Sequence, residues 1–409
     1  MFLESTISDI ENYPFLNPFR FENDPSKKYW HISTLESLLE ENWNSIEEGV
    51  TENREYLAAR EKIFSSSVFQ YFTDQKNRII QESLETDNSF QILGAYTCLL
   101  DSIVQTAFDY SFIDIPLIKE RLLEELNHEL NYKQKNLPEK KEKLKLLKEQ
   151  ILEMENNLES GSSSSREYRY FQEVESQHES ETRVLEERIE ELQQLIPQIQ
   201  EFKNDKNFVL NHLVIFARGG YGRAELGLSS DRDLGYCLDT NRLNNGEAEM
   251  LRQLIVHIEN LLRNSGVETA HQYFEIDEDL SRFDEVNTLH TIPSILESRV
   301  LLGSESLATN LKNRFFQVIT FEPYVLNLVR SFSESKEPEL NRMDLKMDYG
   351  GLRSLQIPLW ITAATFGIFP SQTADLLAFL IQKHLLSHRQ ALKLCQACLL
   401  YTSPSPRDP

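Results

Sequence analysis

Two carboxylates, Asp231 and Asp233, stand one residue apart at the head of an apolar run that ends at Leu238. Side chains alternate along a strand, so both project from one face and can share a divalent cation. Magnesium is a hard ion that one or two carboxylates hold together with substrate phosphates. Ten residues separate Gly220 from Asp231, and Gly219, Gly220 and Gly222 cluster at the upstream end of that gap. Glycines let a backbone N–H approach a triphosphate closely. Either half alone is common, since Asp-x-Asp is often a solvated strand end and Gly-Gly a turn. A strand, a Gly-Gly pair, a ten-residue gap and Asp-x-Asp in that order supply what transfer of a nucleotidyl group requires.

These residues need a scaffold. The run His212 to Ala217 reads as a short buried strand that stops at the glycines, and a second strand opens at the Asp pair. A helix follows from about Glu247 to Arg263, with Leu251, Leu254, Ile255, Ile258 and Leu262 inward and Gly266 closing it. Val267 to Ile276 reads as a third strand, and from about Thr291 the pattern is helical again. The expected class is α+β, a small mixed sheet flanked by helical regions.

The string Gly219-Gly-Tyr-Gly-Arg-x-Glu-Leu-x-x-x-Ser230-Asp-x-Asp-Leu234 resembles the signature of the nucleotidyltransferase superfamily that includes DNA polymerase beta. Within it, the string is similar to the bacterial uridylyltransferases that modify the nitrogen-regulatory PII protein. The resemblance covers about 207 to 397. It implies a Mg²⁺-dependent enzyme in which Asp231 and Asp233 hold one or two ions on UTP or another NTP. Gly219, Gly220 and Gly222 would position the phosphates, with Ser230 adding a hydrogen bond. Arg223 would contact nucleotide or pair with Glu225 to brace the turn. A hydroxyl, by analogy a tyrosine of a small regulatory protein, would attack the α-phosphorus. Downstream, Lys346, Gly350, Gly351, Arg353 and Gln356 match a second element of the family that lies near the nucleotide, while Met347 and Ser354 depart from it. Lys346 and Arg353 suit a triphosphate as point charge and bidentate fork. Gly266 and His271 match the third strand, where Phe274 stands in place of an Arg, and Leu296 to Gly303 is similar to a helix end. The superfamily's third carboxylate is left between Glu268 and Glu275. His271 reads as a ligand or base, or as a hydrogen-bonded structural residue.

Between the N-terminal helical region (1–116) and the nucleotidyltransferase core (207–285) lies an unusual stretch, 117–206. Leu144, Leu147, Ile151, Met154 and Leu158 repeat at three and four, and Leu185, Ile189, Leu192, Ile196 and Ile199 do so after a Gly/Ser tip. The spacing predicts an antiparallel coiled-coil hairpin that serves as spacer, partner-docking arm or oligomerisation element. Pro138 is expected in the first turn of its outgoing helix, and Pro197 is expected to end or kink the return. A helical substrate- and nucleotide-binding domain occupies 286–397. In the N-terminal region, helical periodicity runs from Leu35 to Val50 and from Ile92 to Phe108, the latter with Leu93, Leu100, Ile103 and Val104 on one face and Asp101 among them. Cys398 to Asp408 is similar to a translated sequencing adapter, so 398–409 is expected to be foreign and the Cys395-x-x-Cys398 pair meaningless.

A net charge of −23 argues against nonspecific nucleic-acid binding, which needs many Lys and Arg. No stretch approaches the roughly twenty apolar residues of a membrane span. The N-terminus lacks the features of a signal peptide and four cysteines make no disulfide scaffold. A cytoplasmic setting is expected. Two rival functions stay open: a nucleotidyltransferase with another acceptor, and a catalytically silent nucleotide-sensing module.

Overall fold

A computed structural model describes residues 35, 37, 39, 53–85, 89–159, 165–228, 230–277, 291–318, 321–333, 351–370 and 372–402. Its elements are α1 (Asn53–Glu85), α2 (Ser89–Ile113), α3 (Ile115–Glu159), α4 (Ser165–Glu201), α5 (Lys206–His212), β1 (Leu213–Ala217), the single turn α6 (Gly219–Gly222), β2 (Arg232–Leu238), α7 (Asn245–Asn264), β3 (Thr269–Glu275), α8 (Thr291–Leu296), β4 (Arg299–Gly303), α9 (Glu305–Val318), α10 (Phe321–Ser333), α11 (Leu352–Phe366), α12 (Thr373–Gln382) and α13 (His388–Thr402). They divide into two compact units. One comprises the described residues of Met1–Ile113, Asp205–Arg242 and Leu254–Pro409, the other Asp114–Asn204 and Leu243–Gln253.

The first unit is built on a four-stranded sheet of order β3-β2-β1-β4. β1 lies antiparallel to both β2 and β4, while β2 and β3 run parallel, joined by α7. All five residues of β1 are buried, so its amides and carbonyls need partners on both edges. β4 satisfies the outer edge. The sequence reading placed a helix end at Leu296–Gly303; instead α8 stops at Leu296 and Arg299–Gly303 forms this fourth strand. Nothing local distinguishes Val-Leu-Leu in a strand from the same residues in a helix. The unsatisfied edge of β1 decides it.

Alternation gives each face of the sheet its own cover. Val214, Phe216, Cys237 and Phe274 join a core made by α8, α9, α10, α11 and α12. Phe274 stacks on Phe216 at 6.2 Å and meets Phe315 edge-on at 5.5 Å. The position where the family pattern has an Arg is thus fully buried among rings, where a charge would be costly. On the other face, Tyr236 hydrogen-bonds Glu259 of α7, which also accepts from Thr269 at 2.7 Å. The five α7 residues expected to face inward are all buried. On α2, Leu93, Leu100, Ile103 and Val104 are buried as their spacing predicts. Only residues 35, 37 and 39 of the Leu35–Val50 segment are described, and they are helical.

The second unit pairs α3 and α4. As residue numbers rise along α3 their partners on α4 fall: Lys119 with Gln200, Glu129 with Arg188, Lys140 with Glu181, Lys148 with Glu179. The helices therefore run antiparallel. Exposed ion pairs contribute roughly 0.2–1 kcal/mol each; the apolar seam of Ile151, Ile189, Leu192, Ile196 and Ile199, all buried, contributes more. Two proline expectations are corrected. α3 begins at Ile115 and carries Pro138 in its interior, and α4 runs through Pro197 to Glu201. Both prolines are exposed, so water can reach the carbonyl each leaves unpaired. The start of α7 belongs to this unit, where the Gly246 amide donates to Gln198 at 3.0 Å. The tip, 160–164, lies outside the described residues, as do 403–409, while α13 runs through Ala397 to Thr402.

Candidate nucleotide and metal site

β1 ends at Ala217, and the chain turns at once into α6. Gly219 takes φ +55°, and a Cβ there would lie 2.9 Å from Oδ2 of Asp233. Only glycine lets that carboxylate sit against the turn. Asp233 is the second residue of β2 and half-buried; Asp231 precedes the strand and is exposed. Gly219 and Gly220 supply first-turn amides, where intrahelical partners run out. Gly222 differs from the expectation. Its amide donates to the Arg218 carbonyl at 2.9 Å, and a Cβ there would sit 2.7 Å from the Ala217 carbonyl and 3.3 Å from that of Glu297. It is a close-packing residue.

The rest of the motif holds the turn from three directions. Tyr221 is buried beneath the Arg299 guanidinium, 5.9 Å from its ring, with the Asp101 carboxylate of α2 close enough to act on its phenol. Burial pushes its phenol well above the ordinary range, with Asp101 adding to the effect. Arg299 closes the triangle with a bidentate pair to Asp101 at 2.8 and 3.1 Å. Arg223 is enclosed: Nε donates to Glu225 and Nη1 to Glu297, each at 2.9 Å. Burial works against its charge, but the two carboxylates outweigh burial and raise its pKa. Of the two roles expected for this guanidinium, nucleotide contact or a brace with Glu225, the structure shows the brace, extended to Glu297. Glu225 also accepts the Thr373 amide at 3.2 Å, which ties in α12.

Residues of the second motif reach the same brace. Arg353, near the start of α11, lies 5.1 Å over the Trp360 ring and donates to Gln356 at 2.9 Å. Trp360 hydrogen-bonds Glu297, the partner of Arg223. Gly351 caps α11 in an extended conformation, while Lys346 and Gly350 lie outside the described residues. Ser230 donates its amide to Gly227 at 3.0 Å and is half-buried beside Asp231.

Register separates the remaining acids. β2 and β3 pair Asp233 with Ala270, so even-numbered β3 residues share the Asp face and odd-numbered ones oppose it. Glu275 is on the opposite face and accepts from Tyr273 at 2.7 Å. Glu268 is exposed just before β3, outside the paired register, which begins at Arg232 and Thr269. His271 is also opposite, 3.2 Å from Glu259. Among the described residues no group of three or more His, Cys, Asp or Glu side chains converges on a metal-sized space. Two carboxylates beside a bare glycine backbone fit a magnesium ion whose other ligands are phosphate oxygens.

Sequence reasoning missed one residue here. Arg218 faces Asp233 across the β1–β2 ladder and is buried; Nε donates to the Leu234 carbonyl at 3.0 Å and Nη1 to Gln272 Oε1 at 2.7 Å. Its Nη2 lies 4.0 Å from Asp233 Oδ1. The available signal was a base joined directly to the end of a fully apolar strand.

No family profile matches the chain. The bifunctional uridylyltransferase/uridylyl-removing enzyme of Zymomonas mobilis is 30% identical over 165 residues, which is 38% of this chain and 17% of that protein. Its namesake in Azospirillum brasilense is 31% identical over 160 residues, 36% of this chain and 16% of that protein. That of Ectopseudomonas mendocina is 29% identical over 193 residues, 44% and 20% of the two. The chain carries a uridylyltransferase-like region. That region spans about a sixth to a fifth of the length of these relatives. Among the described residues no helix is long and apolar enough to cross a membrane.

Proposed function

We propose that the uridylyltransferase-like region transfers a nucleotidyl group, uridylyl by analogy with its relatives, from a nucleoside triphosphate to a hydroxyl of a small regulatory protein of the PII type. The observation that carries this reading is the Asp233 carboxylate seated against the Gly219 turn. Asp231 and Asp233 are the ligands of a magnesium ion. When bound, that ion would neutralise charge that builds on the α-phosphate and the departing pyrophosphate. Gly219 and Gly220 let the β- and γ-phosphates lie against backbone amides, with Ser230 beside them. The acceptor hydroxyl gives up its proton to solvent as its oxygen bonds the α-phosphorus, the bond to the bridging oxygen breaks, and pyrophosphate leaves. Arg353, near the start of α11, contributes phosphate contacts, and Lys346 is assigned the same role by its place in the motif. Arg223 and Gly222 act by shaping the turn. The α3–α4 pair works as a coiled-coil spacer or oligomerisation arm, and the protein acts in the cytoplasm.

The absence of a converging third carboxylate among the described residues favours one second reading, a module that binds nucleotide without turnover. Incubating the full chain with UTP labelled at the α-phosphate, Mg²⁺ and a PII-type protein separates the two. Transfer of label with release of pyrophosphate is expected. Tight binding of UTP with no release would establish the sensing reading instead.

A further inference from the structure

Arg218 introduces a fixed positive charge into a site whose proposed work is to hold a cation. Its place is set by the ladder: the Arg218 amide donates to the Asp233 carbonyl at 2.8 Å, so both side chains leave the sheet on the same face. Gln272 leaves β3 on that face too, since register pairs it with Gly235. The space over Gly235 is taken by the Phe216 ring, so the guanidinium is held beside it, at the end of β1. Two hydrogen bonds, to the Leu234 carbonyl and to Gln272, pin the guanidinium there. With 7% of its surface exposed, Arg218 has no room to swing into solvent. The third edge of the fork is left 4.0 Å from Oδ1 of Asp233, while Oδ2 of the same carboxylate faces Gly219.

From this arrangement we infer that Arg218 is a positioning and charge-compensating residue that makes cation binding depend on nucleotide. Resting on the reading of Asp231 and Asp233 as metal ligands, the inference adds who neutralises them when no nucleotide is bound. The two carboxylates bring two negative charges, and a buried arginine beside one of them cancels about half of that field. A bare divalent ion then meets a weak site. A triphosphate adds negative charge and ligand oxygens, which restores the attraction and fills the remaining coordination positions. Metal and nucleotide accordingly enter as a complex. Arg218 also fixes the rotamer of Asp233, so that Oδ2 points to the turn before any ligand arrives.

The test uses the full chain and two probes, Mn²⁺ alone followed by electron paramagnetic resonance, and Mn²⁺ with a non-hydrolysable UTP analogue. In wild type, Mn²⁺ should bind weakly alone and markedly more tightly with the analogue. Arg218→Gln keeps a donor for the Leu234 carbonyl while removing the charge, and should tighten binding of Mn²⁺ alone by about tenfold, the scale of one unit charge at this range in a partly solvated site. Its gain from the analogue should shrink in proportion. Arg218→Lys keeps the charge and should retain the weak wild-type affinity. A merely structural role would weaken both measurements together, so the opposite sign is diagnostic. Unchanged or weaker Mn²⁺ binding in Arg218→Gln overturns the inference. Should Arg218→Gln not fold, Arg218→Lys decides: tighter binding of Mn²⁺ alone would show that the charge is not what sets the affinity. Asp231→Asn and Asp233→Asn serve as controls. If neither changes Mn²⁺ binding, the metal-site reading itself has failed, and the Arg218 inference with it.

Discussion

At the scale of single residues, the site separates groups that face the ligand from groups that shape the turn. Asp231→Asn and Asp233→Asn should each abolish Mg²⁺-dependent release of pyrophosphate from UTP while leaving the circular dichroism spectrum and melting temperature close to wild type. Turnover at the wild-type rate in either variant would remove the Asp pair from the chemistry. Arg223→Met is expected to behave in the opposite way. It leaves Glu297 buried without its partner, a change that costs about 3–5 kcal/mol in comparable buried pairs. Urea unfolding should show that loss, and UTP affinity should fall with it because the turn loses its brace. Spacing alone made the Asp pair and Gly219 legible, because each needs only local chemistry. The pairing of Arg223 with Glu225 was legible as a brace; its second partner and the acid beside Tyr221 were not. Glu297 and Asp101 are remote in sequence, and a basic residue in a glycine-rich motif looks the same whether it binds phosphate or a buried carboxylate.

At the scale of elements, periodicity located β1, β2, β3 and α7 within a residue or two, and it failed at β4. Val300-Leu-Leu reads equally well as the end of the preceding helix, and its identity as a strand comes from the partner it completes. Heptad spacing likewise foretold that α3 and α4 would pair, but not that α3 would extend upstream through Pro138. The α3–α4 pair can be shortened without touching the site. Lys140 and Glu181 face each other, so removing residues 140–181 and joining the cut ends with a short Gly/Ser turn preserves the register of everything below. UTP affinity should be unchanged, and any effect should fall on oligomeric state, read by light scattering. A loss of UTP binding would place this segment in the active site. The cut stops short of Gln198, which holds the Gly246 amide at the head of α7. On α11, Arg353→Ala should weaken UTP binding by about 1.5–3 kcal/mol, the range for a hydrogen bond to a charged group. Arg353→Lys should recover part of it, since the bidentate fork is lost. Unchanged affinity in Arg353→Ala by calorimetry would confine Arg353 to packing on Trp360.

At the scale of the whole molecule, the glycine turn depends on residues from most of the first unit's length. The Asp101–Arg299 pair, which encloses Tyr221, joins positions 198 residues apart. Arg223 reaches Glu297 across 74 residues, and Glu225 reaches Thr373 across 148. Closing loops of such length is slow and is rewarded only when the last partner docks. The turn therefore has its working shape only after α12 is in place, although its own residues are made much earlier. A chain emerging from the ribosome would carry the whole Gly-Gly to Asp-x-Asp signature without yet being able to engage a nucleotide. Pulse-labelled hydrogen exchange during refolding should find amides of 219–225 protected no sooner than those of Thr373–Gln382. Protection of the turn ahead of α12 would show that the glycines and their neighbours suffice to shape it. If the order holds, capacity to act on nucleotide is itself a report that synthesis has passed α12, a built-in safeguard against nascent chains that still lack it.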